Sequence, residues 1–231
     1  LYSILGTRIF KPNVFGPLVS SVALSMLIPV LIDFGFMQET LRTQILESKH
    51  HFAARRQIFL RILFFGYLIQ GVYCIFDFQF SRVLVPLIGL SWYFSILASV
   101  PYRSSSNLSS LSMHSVLGRF LGLAIACMIL LYSPNLFTYY AGFIFIYLSE
   151  AMSLYFVGRK RYPAKWNNEF NKAPESSAVA ILPVIQNFDV LAISGASPGS
   201  AGLYSAVNKW PAALGSIATA LNVALFKNHI S

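Results

Sequence analysis

The chain has 231 residues, 56% of them apolar and 11% charged, with a mean hydropathy of +0.62. A soluble domain carries about 25% charged residues, so this balance excludes an ordinary soluble fold and places the chain in the membrane class. The net charge of +9 does not indicate a nucleic-acid partner, because the basic residues are spread over short loops between apolar runs.

Residues 1–13 read as the end of one helix followed by a loop. Val14–Phe36 is the first complete span, since about 20 apolar residues at a helical rise cover the hydrocarbon core. Residues 37–56 are polar and carry Arg42, Lys49, Arg55 and Arg56. The second span is expected near Gln57–Phe76, with Arg61 at its edge, and a short turn, Asp77–Arg82, leads to the third at Val83–Val100. Pro101–Ser112 is Ser-rich and polar. The fourth span is expected at Val116–Tyr132 and the fifth at Leu136–Val157, joined by the turn Ser133-Pro134-Asn135. The most basic loop follows, GRKRYPAKWNNEFNK. The sixth and seventh spans are expected at Ser177–Ile193 and Leu203–Phe226. The fold class is therefore an all-α integral membrane protein with about seven complete transmembrane helices. The chain opens on Leu1 without a charged leader and ends at Ser231 just after an apolar run. It is expected to be a fragment of a longer protein.

Loop charge sets the orientation. Loops 37–61, 101–119, 158–176 and 227–231 hold thirteen of the 17 basic residues, and the opposite side holds Arg8, Lys11 and Arg82. The richer side is expected to be cytoplasmic. Tyr132, Tyr139, Tyr140, Tyr162 and Trp166 fall near span ends, as interfacial aromatics do.

Asp189 and Lys209 stand inside the sixth and seventh spans, close to their outer ends. An ionisable group at membrane depth costs about 2.5–3.5 kcal/mol on insertion scales unless it meets a partner or water. Two readings stay open. They line an aqueous cavity, Lys209 attracting a diphosphate or acidic sugar while Asp189 carries a coupling proton or holds Lys209. Otherwise Lys209 snorkels to the headgroups and Asp189 pairs with a neighbour. Gln186 and Asn187 precede Asp189 near Pro183, which fits a bent helix with a hydrated face or interhelical hydrogen bonding. Asp33 and Glu150 are further candidates for ion coupling. Asp33 is placed near the cytoplasmic end of its span, where it also suits a loop-bonding carboxylate. Glu150 either relays protons or pairs with Arg119 on the preceding helix.

The histidines His50, His51, His114 and His229 have no metal-ligand spacing, and Cys74 and Cys127 lie within apolar runs, so neither a metal nor a disulfide is expected. Gly71, Gly89 and Gly122 are expected at helix-packing contacts. No nucleophile–base pair or phosphate loop stands out, so the chain is not expected to be an enzyme, and no cofactor is implied. Residues 15–22 echo residues 201–207, which suits two halves related by an axis along the membrane normal.

Leu5-Gly6, Gly16 and Asp33-Phe34-Gly35, followed by Asp189-Val190-Leu191, Gly202-Leu203-Tyr204 and Lys209, resemble in order and spacing the bacterial polysaccharide flippase family. That family belongs to the multidrug/oligosaccharidyl-lipid/polysaccharide exporter superfamily. The resemblance implies two six-helix lobes around a central cavity. Residues 1–172 would be the first lobe, its first helix truncated, and residues 173–231 the start of the second. It implies a flippase that moves undecaprenyl-diphosphate-linked oligosaccharide across the bacterial inner membrane for surface polysaccharide biosynthesis. Expected partners are that lipid-linked oligosaccharide, membrane lipids and a glycan polymerase machinery. The alternatives are a drug/cation antiporter of the same superfamily and, ranked lower, a membrane glycan polymerase or acyltransferase, for which the outer loops are short.

Overall fold

The computed structural model describes residues 2–76 and 80–166, with Ala192, Ile193, Ser197, Ser200, Tyr204 and Val207; side chains 73–76 and 80 are outside the description. The chain divides into two compact units, one of residues 1, 3–20 and 190–231, the other of residue 2 with 21–189. The described helices are α1 (Tyr2–Ile9), α2 (Pro12–Asp33), α3 (Phe36–Glu47), α4 (Arg56–Phe76), α5 (Val85–Ser104), α6 (Leu108–Tyr132) and α7 (Leu136–Gly158). A short 3-10 turn, Phe80–Leu84, precedes α5. Among the described residues, four segments are long and apolar enough to cross a membrane: Pro12–Asp33, Ser81–Ser104, Leu108–Tyr132 and Leu136–Gly158. Helix α4 occupies the expected second span. The expected sixth and seventh spans lie outside the described residues.

Three departures from the expected pattern have local causes. The polar stretch after the first span is not a loop but the amphipathic helix α3, which buries Phe36, Thr40 and Gln44. Helix α6 begins at Leu108 rather than Val116; its Ser-rich first turns stay helical while Ser112 donates its hydroxyl to the Leu108 carbonyl (2.9 Å). Finally, the fold is not purely helical. Strand β1 (Phe52–Ala54) pairs in parallel with β2 (Ala164–Trp166), Phe52 opposite Ala164 and Ala54 opposite Trp166. The two loops meet at one end of the bundle, where their backbone groups need partners.

Helix α5 is the centre of the larger unit. Ser91, Ser95 and Ser99 recur at four-residue spacing, all buried, and each donates its hydroxyl to the carbonyl three residues back. Small side chains that satisfy their own hydroxyls let neighbouring helices approach closely. Helices α6 and α7 pack through glycine. A Cβ at Gly122 would sit 2.6 Å from Ile146 Cα, and one at Gly118 would sit 2.7 Å from Glu150 Cα. Gly89 is equally obligatory, against the Ser25 carbonyl. Gly71 is not a packing contact among the described residues, none of which lies within 4 Å of the space its side chain would fill. Helix α7 starts from a reciprocal cap: the Thr138 N–H donates to Asn135 Oδ1 (2.9 Å), and the Asn135 N–H donates to Thr138 Oγ1 (3.2 Å). The outward face of α6 exposes Phe120, Leu121, Met128 and Leu131. Such a face suits lipid, and the described part of the chain is a helical bundle with four helices long and apolar enough to cross a membrane.

Candidate functional site

Helices α2 and α3 read as one helix interrupted at Phe34-Gly35. Phe34 has φ 44° and Gly35 has φ 91°. Positive φ costs a side-chain-bearing residue about 1–2 kcal/mol, which explains the glycine at the second position. The chain does not leave the bundle at this break. Asp33 accepts a hydrogen bond from the Tyr93 hydroxyl on α5, and the Ser104 hydroxyl at the end of α5 donates to Gln44 Oε1 on α3 (3.1 Å). Both pairs are 60 residues apart in sequence, so α3 follows α5 in the same direction with constant register.

This register places Asp33 along α5. Eleven residues of helix separate Tyr93 from Ser104, about 16 Å at 1.5 Å per residue. Asp33, the last residue of α2, therefore lies beside the middle of α5. Its second oxygen accepts from the Met37 N–H (3.2 Å) at the start of α3. Arg55 stacks its guanidinium 4.0 Å from the centre of the Phe36 ring and brings a positive charge near the carboxylate. The loop-bonding role is thus present, beside a broken helix and a buried tyrosine. Such a carboxylate can hold a proton or a small cation without leaving the bundle.

Glu150 is buried on α7 and meets α6 twice. Ser115 donates its hydroxyl to Oε1, and Arg119 Nε stands 2.8 Å from Oε2. That is ion-pair distance, although the N–H is not aligned as a hydrogen bond to Oε2. Arg103 at the end of α5 is near enough for its charge to act on Glu150 and Arg119. Glu150 is therefore engaged by cations on two neighbouring helices.

A third polar junction ties the loops together. Gln44 donates to the His51 carbonyl (2.7 Å) and accepts from the His51 N–H (3.2 Å), while His50 Nδ1 is 2.9 Å from the Ser104 hydroxyl. Tyr162 bonds Ser105 (2.8 Å) and also meets Asn107 (3.5 Å). Residues 44–51, 104–107 and Tyr162 therefore meet at one end. His51 is half-buried, and burial lowers its pKa, with the Lys165 charge adding to this and the Lys49 carbonyl opposing it.

Of the sequence candidates, Asp33 and Glu150 fall on separate helices at separate sites. Asp189, Lys209, Asn187 and Gln186 lie outside the described residues. Tyr93, Ser115 and the Gln44–Ser104 pair were not foreseen; their only trace in the sequence is a polar group within an apolar run. Among the described residues, no three His, Cys, Asp or Glu side chains gather as a metal site. No family model, no curated protein and no solved structure matches this chain.

Proposed function

We propose that the protein is a membrane transporter working by alternating access, and that its cargo is an undecaprenyl-diphosphate-linked oligosaccharide carried across the bacterial inner membrane for O-antigen or related lipopolysaccharide synthesis. The observation that carries the transporter reading is Asp33, a carboxylate opposite mid-α5 at a helix break. Interrupted helices and intramembrane carboxylates are where transporters bind and couple ions. Support for the cargo comes from the sequence resemblance, with Lys209 as the residue to meet the diphosphate and Asp189, Gln186 and Asn187 lining the cavity beside it. Asp33 is the coupling residue in this reading, and Glu150 holds α6 to α7 through Arg119. The acidic character of Asp33 also favours a second reading, a drug/cation antiporter.

The test is the leaflet position of the lipid-linked glycan in cells lacking their own flippase. Wild type should restore outward movement; Lys209→Ala and Asp33→Asn should each abolish it while still inserting stably. Failure of wild type across matched glycans, together with proton-driven efflux of a cationic dye that Asp33→Asn abolishes, would replace the flippase by the antiporter.

A further inference from the structure

A cleft of about 350 Å³ opens between α5 and α7 beside the β1–β2 pair, within the roughly 300–1,000 Å³ of small-molecule sites. Its walls are apolar, with Phe94 and Ala98 from α5, Met152 and Phe156 from α7, and Ala53 from β1. It is not a sealed packing void. Met152 is 46% exposed and Phe156 is 52% exposed, so the cleft opens sideways along α7. These wall residues belong to the halves of α5 and α7 nearer the basic loops.

One charged side chain lines it, Lys165 on β2, fixed by strand register opposite Ala53. Among the described residues, Lys165 forms no ion pair. Arg159 lies outside the lining, its Cζ 5.5 Å from the centre of the Phe156 ring. An apolar slot thus ends in one positive charge on the side of the basic loops.

We propose that this cleft seats one anionic phospholipid of the leaflet facing those loops, an acyl chain between α5 and α7 and its phosphate on Lys165. The chemistry selects this occupant. A free phosphate would leave the apolar walls empty, and a zwitterionic lipid would bring its own cation to the lysine. Lys165 presents a compact point charge suited to phosphate, and basic residues at this leaflet attract anionic headgroups. The site requires only a bilayer around the bundle, so it stands whether or not the protein carries an oligosaccharide.

The test is native mass spectrometry of the protein released from nanodiscs of equal phosphatidylglycerol and phosphatidylcholine with matched chains. Wild type should retain one phosphatidylglycerol in preference. Lys165→Ala, at an exposed position, should lower that retention about fivefold, the usual effect of one surface cation. Met152→Trp, which fills the exposed mouth and leaves the charges in place, should release both lipids. Equal retention of the two lipids by wild type would overturn the proposal. So would retention unchanged in Met152→Trp, which would put the lipid on the basic surface and outside the cleft. Circular dichroism of each variant separates loss of the lipid from loss of the fold.

Discussion

Replacing Gly122 by alanine tests how closely α6 and α7 are held. The added Cβ would lie 2.6 Å from Ile146 Cα and 2.7 Å from the Phe145 carbonyl oxygen. Ordinary contacts begin near 3.4 Å, and both obstacles are backbone, so no side chain can swing aside. The helices must part by most of an ångström along the glycine stripe, and overpacking of this kind costs about 1–3 kcal/mol. Alanine also gains helix propensity over glycine, about 1 kcal/mol, which confuses a single measurement. Gly71 supplies the control. It is also in a helix interior, on α4, yet nothing lies within 4 Å of its missing side chain. The propensity gain is common to Gly122→Ala and Gly71→Ala, so their difference isolates packing. Unfolding by sodium dodecyl sulfate in mixed micelles, followed by circular dichroism, should place Gly122→Ala about 1–3 kcal/mol below Gly71→Ala. Equal midpoints for the two variants would refute the close approach of α6 and α7.

Three further outcomes follow from the described contacts. Gly35→Ala forces a side chain into φ 91° and should cost about 1–2 kcal/mol in the same assay, whereas Phe34→Gly should relieve the strain of φ 44° at position 34 itself. Arg119→Met leaves the Glu150 carboxylate buried with Ser115 as its remaining partner on α6, so it should destabilise by about 1–2 kcal/mol; Arg119→Met with Glu150→Leu should recover most of the loss. Burial lowers the His51 pKa below its usual 6.5, so the unfolded chain binds the proton more readily there. The stability tied to neutral His51 is present above pH about 6.5 and falls as the pH drops toward the lower folded value. A pH series of melting temperatures should show that slope in wild type and a flatter one in His51→Gln.

Among the described residues, four of the expected spans were legible as apolar runs of about twenty positions, because membrane thickness fixes that length. What escaped was everything that depends on a partner. Helix α3 is polar enough to pass for a loop until Gln44 and Phe36 find α5. Asp33-Phe34-Gly35 looked like the end of a span because charge and glycine together signal an exit from the membrane. Register against Tyr93 and Ser104 turns it into an interruption. Glu150 was tied to Arg119 as one of two options, since the two stand on consecutive helices across a short turn. Three-residue strands leave no alternation to read, so β1 and β2 were invisible. Gly71 and Gly122 carry the same letter in similar runs, and only the neighbour's backbone tells an empty surface from a tight seam.

The β1–β2 pair also has a history within synthesis. The two strands are separated by roughly 110 residues, and four helices must be made between them. At roughly 5–20 residues per second, β1 waits about 6–22 s before its partner leaves the ribosome. During that interval a strand with free backbone donors and acceptors stands at the membrane surface, open to pairing with any other chain. Its three residues are short enough to make such pairing weak, and they acquire a lasting partner only when α7 is in place. The pair therefore closes only after the four helices between its strands have been made.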